Sequence, residues 1–415
     1  MKILQINGVI HQGSTGEIVD AINNYLKEKN IEYKICYGIG RKSLDGYKFC
    51  YRLEQALYRR CSMITGFRYG FAPISTLKVI KYIEKFNPDI VHLHSINGNC
   101  VNIYKLIKYL KKNNKITIIT NHAEFFYTGN CTSTYGCEQY KTGCKNCPYK
   151  IWASDHAIFP KTHKAWLKLR KIFKGFSNGY MVSVSDYIKK CAEASPLTKD
   201  LHHLKILNGI NIMVFKPTYT IDIKKRYNIS ADKKLCVFVT SEFSKDKSHL
   251  KGGYWLLRIA KEMREKKYHF IVVGNNKEDD ETYDNISFIG RVYNKEILAN
   301  IYSQADVALS FSKSESFGMT CSEALCCGTP VVGFKCGGME SIALKEYSRF
   351  CDYGDTKSFI ENIIELSDVY KIKSSIISKI ARSSYSREKM AEEYFKLYKE
   401  VIENNEDYQI DENTN

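Results

Sequence analysis

Residues 311–341 read FSKSESFGMTCSEALCCGTPVVGFKCGGMES. Two carboxylates, Glu315 and Glu323, flank a small-residue turn, Ser316-Phe317-Gly318, that leads into a short helical pattern. Gly328-Thr329-Pro330 stops that helix, since proline lacks the N–H needed to continue the ladder. The apolar run Val331–Phe334 follows as a buried strand, and Gly337-Gly338 turns the chain toward another helix. Helix, stop, buried strand and glycine turn are the parts of a parallel α/β unit. A helix opening at a glycine presents N–H groups and the positive end of its dipole, which suits a phosphate. A glutamate further along the helix can reach hydroxyls on whatever that phosphate carries. Two glutamates alone would be ordinary solvated charges. The ordered set around them reads as a nucleotide-sugar cradle.

Working outward, the same alternation fills the chain. Strand-like runs are Lys2–Ile6, Tyr33–Tyr37, Ile90–His94, Ile116–Thr120, Tyr180–Val184 and Leu204–Leu207, then Leu235–Thr240, His269–Gly274, Ile286–Ile289, Asp306–Ser310 and Val331–Phe334. Short β-branched runs separated by helix-length segments predict parallel sheets with crossover helices, here in two doubly wound domains. The segment Asn208–Pro217, with a turn signal and a late proline, is the predicted boundary, giving domains 1–207 and 208–385. A last helical pattern, 386–403, carries Met390, Tyr394, Leu397 and Tyr398 on one face. An acidic, Asn-rich tail over 404–415 is expected to be disordered.

At 415 residues the chain favours two domains, and 44% hydrophobic with 26% charged residues is the composition of a soluble globular protein. No apolar run has the length of a membrane span. The opening MKILQINGVI is broken by Gln5 and Asn7, so it reads as a first strand and not a signal peptide. Fifteen cysteines without an export signal point to a reducing cytoplasm, and their odd number excludes a closed set of intrachain disulfides. The net charge of +17 is one-sided. Residues 1–207 hold 32 Lys and Arg against 14 Asp and Glu, whereas residues 208–415 hold 30 against 31. Such a field implies an anionic partner, either nucleic acid or a membrane surface bearing phosphorylated lipids.

Four further features carry chemistry. The loop Asn7–Gly16 (NGVIHQGSTG) lies at a strand's carboxyl end, where open α/β sheets bind ligands; Gly16 is a candidate contact or a plain structural turn. It is not a GxGxxG fingerprint. Cys131, Cys137, Cys144 and Cys147 form C-x5-C-x6-C-x2-C, a set suited to tetrahedral structural zinc, or else four free thiols in a loop. His122 follows the strand Ile116–Thr120, again at a carboxyl end, as a ligand contact or a loop cap. Lys161–Phe176 places Trp166, Leu169, Phe173 and Phe176 on one face of a basic helix, which suits either a membrane interface or packing on the sheet.

The E-x7-E pattern of Glu315 and Glu323 resembles that of retaining glycosyltransferases of family 4. Asn208-Gly209-Ile210 is similar to that family's interdomain segment, and Lys251-Gly252 to its Lys-Gly at the start of a helix. More narrowly, HAEFFYTGNC and KTGCKNCP resemble a branch that builds bacterial exopolysaccharides, including colanic-acid-type transferases. The resemblance implies an α/β GT-B fold, two Rossmann-like domains facing each other across a cleft, with the final helix crossing back to the first domain. It implies transfer of a sugar from a UDP- or GDP-sugar to a saccharide acceptor, lipid-linked, in capsule, exopolysaccharide or O-antigen synthesis. Glu315 would contact the donor sugar and Glu323 the ribose. Lys251 would pair with the diphosphate, with N–H groups around Phe317, Gly318 and Met319. Arg291 and Val292 would lie near the base, Asn208 and Gly16 in the donor site, and His122 at the sugar.

That chemistry requires no metal for catalysis, leaves zinc a structural role, and involves no nucleic acid. It places the protein in the cytoplasm, peripheral on an anionic membrane surface. Two positions differ from the branch. Ala123 stands where an aspartate is usual, with Glu124 beside it, and Ser241-Glu242 stand where an arginine is usual, with Lys245, Lys247 or Arg291 as substitutes. The rivals are a glycoside hydrolase using the paired carboxylates and a zinc-containing nucleic-acid-binding protein.

Overall fold

The computed structural model describes residues 1–44, 46–149, 157–276 and 283–413, with the side chains of 276, 369–373 and 406–413 left aside. The chain divides into two compact units, residues 1–207 with 390–415, and residues 208–389.

The first unit is built on seven strands: β1 Lys2–Val9, β2 Glu32–Ile39, β3 Tyr47–Lys48, β4 Ile90–Leu93, β5 Ile116–Asn121, β6 Gly179–Ser183 and β7 His202–Lys205. They pair in parallel in the order β3-β2-β1-β4-β5-β6-β7. The chain therefore runs outward from β1 to β3, then restarts beside β1 with β4. That reversal opens a crevice at the carboxyl ends of β1 and β4, the usual ligand position in such sheets. β4 and β5 are buried at every residue, as strands covered on both faces must be.

β1 extends three residues past the predicted Ile6, and the following helix begins at Gly13. Gly16 thus sits in the first turn of a helix, where sequence reading had placed it in a loop. An added Cβ there would stand 3.3 Å from the His11 backbone nitrogen.

The terminal helix spans Arg387–Asn413, well past the predicted end at 403. Acidic composition does not prevent a helix, since glutamate is a good helix former on a solvated face. Thr414 and Asn415 of the expected tail lie outside the described residues. Met390, Tyr394, Leu397 and Tyr398 are all buried, in one cluster with Ile3, Ile18, Ile22 and Ile118. Burying side chains of this size contributes about 1.5–3 kcal/mol each, so this segment is part of the first unit's core. Its eight acidic residues over 390–415 also moderate the positive field of residues 1–207. In the helix Thr162–Phe173, Trp166, Leu169 and Phe173 are buried, as is Phe176 beyond it. The packing alternative holds for that basic helix, and its apolar face is unavailable to a bilayer.

The second unit has β8 Lys234–Phe243, β9 Tyr268–Asn276, β10 Ile286–Phe288, β11 Val307–Ser310, β12 Val331–Phe334 and β13 Ser348–Cys351. Their order, all parallel, is β10-β9-β8-β11-β12-β13. Here the order reverses between β8 and β11. The core around it holds Trp255, Phe270, Phe311, Phe334 and Phe359. Asn208 is buried at the unit's start, where Ile210 pairs with Ser386 and an added Cβ on Gly209 would stand 2.6 Å from Arg387 Cα. Among the described residues, no helix is long and apolar enough to cross a membrane.

Candidate functional site

The loops leaving β8 and β11 meet at the second unit's reversal point, and each brings one of the expected residues. Lys251 Nζ lies 2.6 Å from Glu315 Oε1, with both side chains partly exposed. Glycine makes this approach possible. Gly252 has φ +70° and caps the helix Gly253–Glu262, and an added Cβ would fall 2.3 Å from the carbonyl oxygen of Phe311 at the end of β11. A side chain there would push the lysine loop away from the glutamate loop. The backbones are also tied, because Lys313 N–H donates to the Leu250 carbonyl at 2.9 Å.

Glu315 is held from its other side. Its N–H donates to Cys336 O at 3.0 Å, and Gly338 N–H donates to Glu315 O at 2.8 Å. An added Cβ on Gly338 would lie 2.2 Å from the Ser316 carbonyl, so the Gly-Gly turn lets the two loops touch. Gly318, with φ +95°, caps the helix Met319–Cys326 without a side-chain cap. Its first ladder bonds run from Cys321 and Ser322 to Gly318 O, leaving the N–H groups of Met319 and Thr320 ahead of the ladder. Phe317 is buried and packs edge-on to Tyr385.

The neighbouring helix Gly338–Ile342 is closed differently. Glu340 accepts from Cys336 N at 3.0 Å and Gly337 N at 2.7 Å, so its positive end is already neutralised. Sequence reading passed over Glu340. The signal was present, a glutamate three residues after the first glycine of the turn.

Glu323, one helix face round from the Glu315 loop, lies beside the buried phenol of Tyr302. That phenol's pKa is pushed up by burial and further by the carboxylate. The Gly290–Val292 turn leaves β10 with Arg291 exposed and stacked over Tyr293 at 5.0 Å. Among the substitutes for the absent arginine, Lys247 lies over the rings of Tyr254 and Trp255 at 5.8 and 5.7 Å.

In the first unit, His122, itself half-buried, joins a buried polar network. His94 Nδ1 is 3.2 Å from His122 Nε2, and His94 Nε2 is 2.6 Å from Gln5 Oε1. His92 reaches Tyr398 at 2.7 Å and Thr120 at 2.8 Å. Burial lowers the pKa of all three imidazoles, with His122 brought to about 4. His92 and His94 were missed as site residues, although an H-x-H repeat on a strand places both on one face.

Glu124 does not stand in for the missing aspartate. It is buried, and its carboxylate accepts from Thr134 N at 2.8 Å, anchoring the cysteine loop. Two of the four thiols of that loop have raised pKa values. Cys131 is pushed up by burial and then by Cys147, Cys144 and Cys137, and Cys144 is pushed up to about 12 by burial and the neighbouring thiols. Tyr135, Gly136, Gly143 and Cys144 all have positive φ, the tight turns of a knuckle. Among the described residues, no three His, Cys, Asp or Glu are placed as a metal-ligand set.

Two doubly wound parallel-sheet units, each with its ligand crevice at a strand-order reversal, are the GT-B architecture of glycosyltransferases. Within that fold, residues 234–368 match the family described as glycosyl transferases group 1. Among curated proteins, the chain is 25% identical over 218 residues to N-acetyl-alpha-D-glucosaminyl L-malate synthase of Bacillus anthracis, covering 49% of this chain and 55% of that protein. The chain thus matches only about half the length of that relative. It is 23% identical over 406 residues to an uncharacterized 41.2 kDa protein in the cps region of Klebsiella pneumoniae, covering 94% and 99%. Similar solved structures include sucrose-phosphate synthase from Thermosynechococcus elongatus, with TM-score 0.68 and 16% identity over 97% of this chain and 99% of that one. Another is Anabaena HepE in complex with UDP-glucose, with TM-score 0.62 and 16% identity over 96% and 100%.

Proposed function

We propose that the protein is a retaining glycosyltransferase that moves a sugar from a nucleoside-diphosphate donor, a UDP- or GDP-sugar, to a lipid-linked saccharide in bacterial polysaccharide synthesis. The observation that carries this reading is the Lys251–Glu315 pair, seated by glycines at the reversal point beside an uncapped helix start. Breaking a sugar–phosphate bond leaves negative charge on the departing diphosphate. Lys251 and the N–H groups of Met319 and Thr320 supply fixed positive charge for it, the electrostatic term that usually dominates. Glu315, beside the lysine, is positioned for the sugar that becomes oxocarbenium-like. Glu323 takes the ribose, and His122 a sugar hydroxyl. Because a lysine and a helix end serve the leaving group, the proposed reaction calls on no metal.

Several residues complete the reading. UDP-glucose in the structure of HepE supports a nucleotide-sugar donor. Similarity to a putative colanic acid biosynthesis glycosyl transferase of Escherichia coli, 23% identical over 166 residues, supports a polysaccharide product. Six lysines, Lys105, Lys108, Lys111, Lys112, Lys168 and Lys171, line one groove of the first unit and support docking on an anionic membrane surface. Cys131, Cys137, Cys144 and Cys147 carry the sulfur donors that structural zinc takes, and zinc would hold the loop after His122 by drawing them closer than they stand here. A thermal-shift series against nucleoside diphosphates and their sugars tests the central claim. Selective stabilisation of the wild type, lost in Lys251→Ala, is expected. If no nucleoside diphosphate or its sugar raises the melting temperature, the reading fails.

A further inference from the structure

The helix Arg52–Thr65 is amphipathic, with its apolar side turned outward. Of its fourteen residues it buries Tyr58 and Ser62. Leu53, Leu57, Arg60 and Ile64 recur at spacings of four, three and four, so they share one face. Leu53 is 87% exposed, and Leu57 and Ile64 are each more than half exposed. An ordinary surface helix lays such a stripe on the core. Here the opposite side does the anchoring, through polar contacts. Gln55 Nε2 donates to Gly98 O at 2.6 Å, and Ser62 Oγ lies 2.9 and 2.7 Å from the carbonyl oxygens of Phe67 and Arg68. The fold therefore does not use the stripe.

Apolar surface continues past the helix. Ile158 N–H donates to Met63 O at 2.9 Å, and an added Cβ on Gly66 would overlap the Phe159 carbonyl, so that loop lies against the helix's carboxyl end. Ile158 and Phe159 are both more than half exposed there. The charge around these groups has one sign. Arg52, Arg59 and Arg60 are exposed on the helix, whereas its single acid, Glu54, accepts from Tyr51 N at 2.9 Å and pairs with Lys78 at 3.3 Å. Lys168 joins the stripe to the lysine groove. Its Nζ lies 5.4 Å from the ring of Phe67, just after the helix, and 4.4 Å from the ring of Tyr104 on the groove wall.

We propose that Leu53, Leu57 and Ile64, with Ile158 and Phe159, enter the interfacial layer of an anionic phospholipid bilayer while the arginines beside them meet lipid phosphates. This rests on the membrane docking proposed above and deepens it, since that reading invoked charge alone. An apolar face edged by arginines is the pattern of helices that lie in a membrane interface. Acyl chains take the leucines and phosphates take the guanidinium groups. A two-fold contact between copies of the chain would instead set two arginine-bearing faces of equal charge against each other.

Flotation of the full-length protein with vesicles of phosphatidylcholine and phosphatidylglycerol, and with phosphatidylcholine alone, tests this. The wild type should float with the mixed vesicles. Leu53→Ser/Leu57→Ser should bind them about tenfold more weakly, with an unchanged urea midpoint because both positions are exposed. Leu57→Trp should shift its emission to the blue on the mixed vesicles and be quenched by acyl-chain-brominated lipid beyond the wild-type level. Undiminished flotation of the double-serine variant, removed by salt in both proteins, overturns the inference and leaves charge-driven docking standing. An unquenched Leu57→Trp overturns it without relying on the serine variant. Absence of wild-type binding to either vesicle overturns both readings. A lipid-free dimer that the serine substitutions disperse also overturns it, because the stripe then serves self-association.

Discussion

Acidification should unfold the first unit before carboxylate protonation becomes the dominant effect. His92, His94 and His122 all have folded pKa values below that of a free imidazole, His122 at about 4. A depressed folded pKa means that stability is complete above the unfolded value, about 6.5, and is lost as pH falls toward the folded value. In that window the unfolded chain binds the protons that the folded chain refuses. His122, with its folded value at about 4, costs about 1.4 kcal/mol per pH unit in that window, and His92 and His94 act in the same direction. Buried Glu124 works in the opposite direction, since burial raises its folded pKa and favours the folded state in acid.

The assay is urea unfolding at several pH values, followed by tryptophan fluorescence. With Trp255 changed to phenylalanine, Trp166, buried in the first unit, is the reporter among the described residues. Stability should fall with decreasing pH by more than one proton per pH unit, reduced by Glu124. A slope of one proton or fewer between pH 6 and 5, about 1.4 kcal/mol per unit, would refute the neutral buried network.

Three other outcomes are expected. Glu315→Gln removes the charge beside Lys251 and should abolish sugar transfer while leaving the urea midpoint close to wild type; full turnover in that variant would end its catalytic assignment. Gly252→Ala places a Cβ 2.3 Å from the Phe311 carbonyl at positive φ, so it should lose about 1–3 kcal/mol from backbone strain and weaken diphosphate binding, as seen by denaturation and thermal shift. Elemental analysis should find one zinc per chain, absent from Cys144→Ser; a metal-free wild type with unchanged melting temperature on chelation would rule zinc out.

The β/α alternation was legible because buried parallel strands are short unbroken apolar runs, and Val331–Phe334 was read to the residue. β3 and β13 escaped notice for the same reason. A two-residue edge strand has no period, and Ser348-Arg349-Phe350-Cys351 has too little apolar content to announce itself. The pairing of Glu315 with Lys251 was half visible. Each residue could be singled out from its local glycines, but nothing in the 63 intervening residues fixes a 2.6 Å contact. Glu124 shows the opposite case, where closeness in sequence to His122 was misleading. Its backbone turns the side chain toward Thr134, so it serves the cysteine loop.

By itself, then, the sequence determined two parallel-sheet units, the helix, strand and glycine turns of residues 311–341 and the apolar face of the last helix, because period and glycine placement are local properties. Tertiary structure alone decided what those pieces meet. The order of strands put the Lys251 and Glu315 loops side by side, and the return of the terminal helix from residue 390 brought Tyr398 to Gln5 across 393 positions. Contacts of that span depend on the whole fold, because a hydrogen bond needs its partner within about 3 Å and nothing in the sequence around either end supplies that partner.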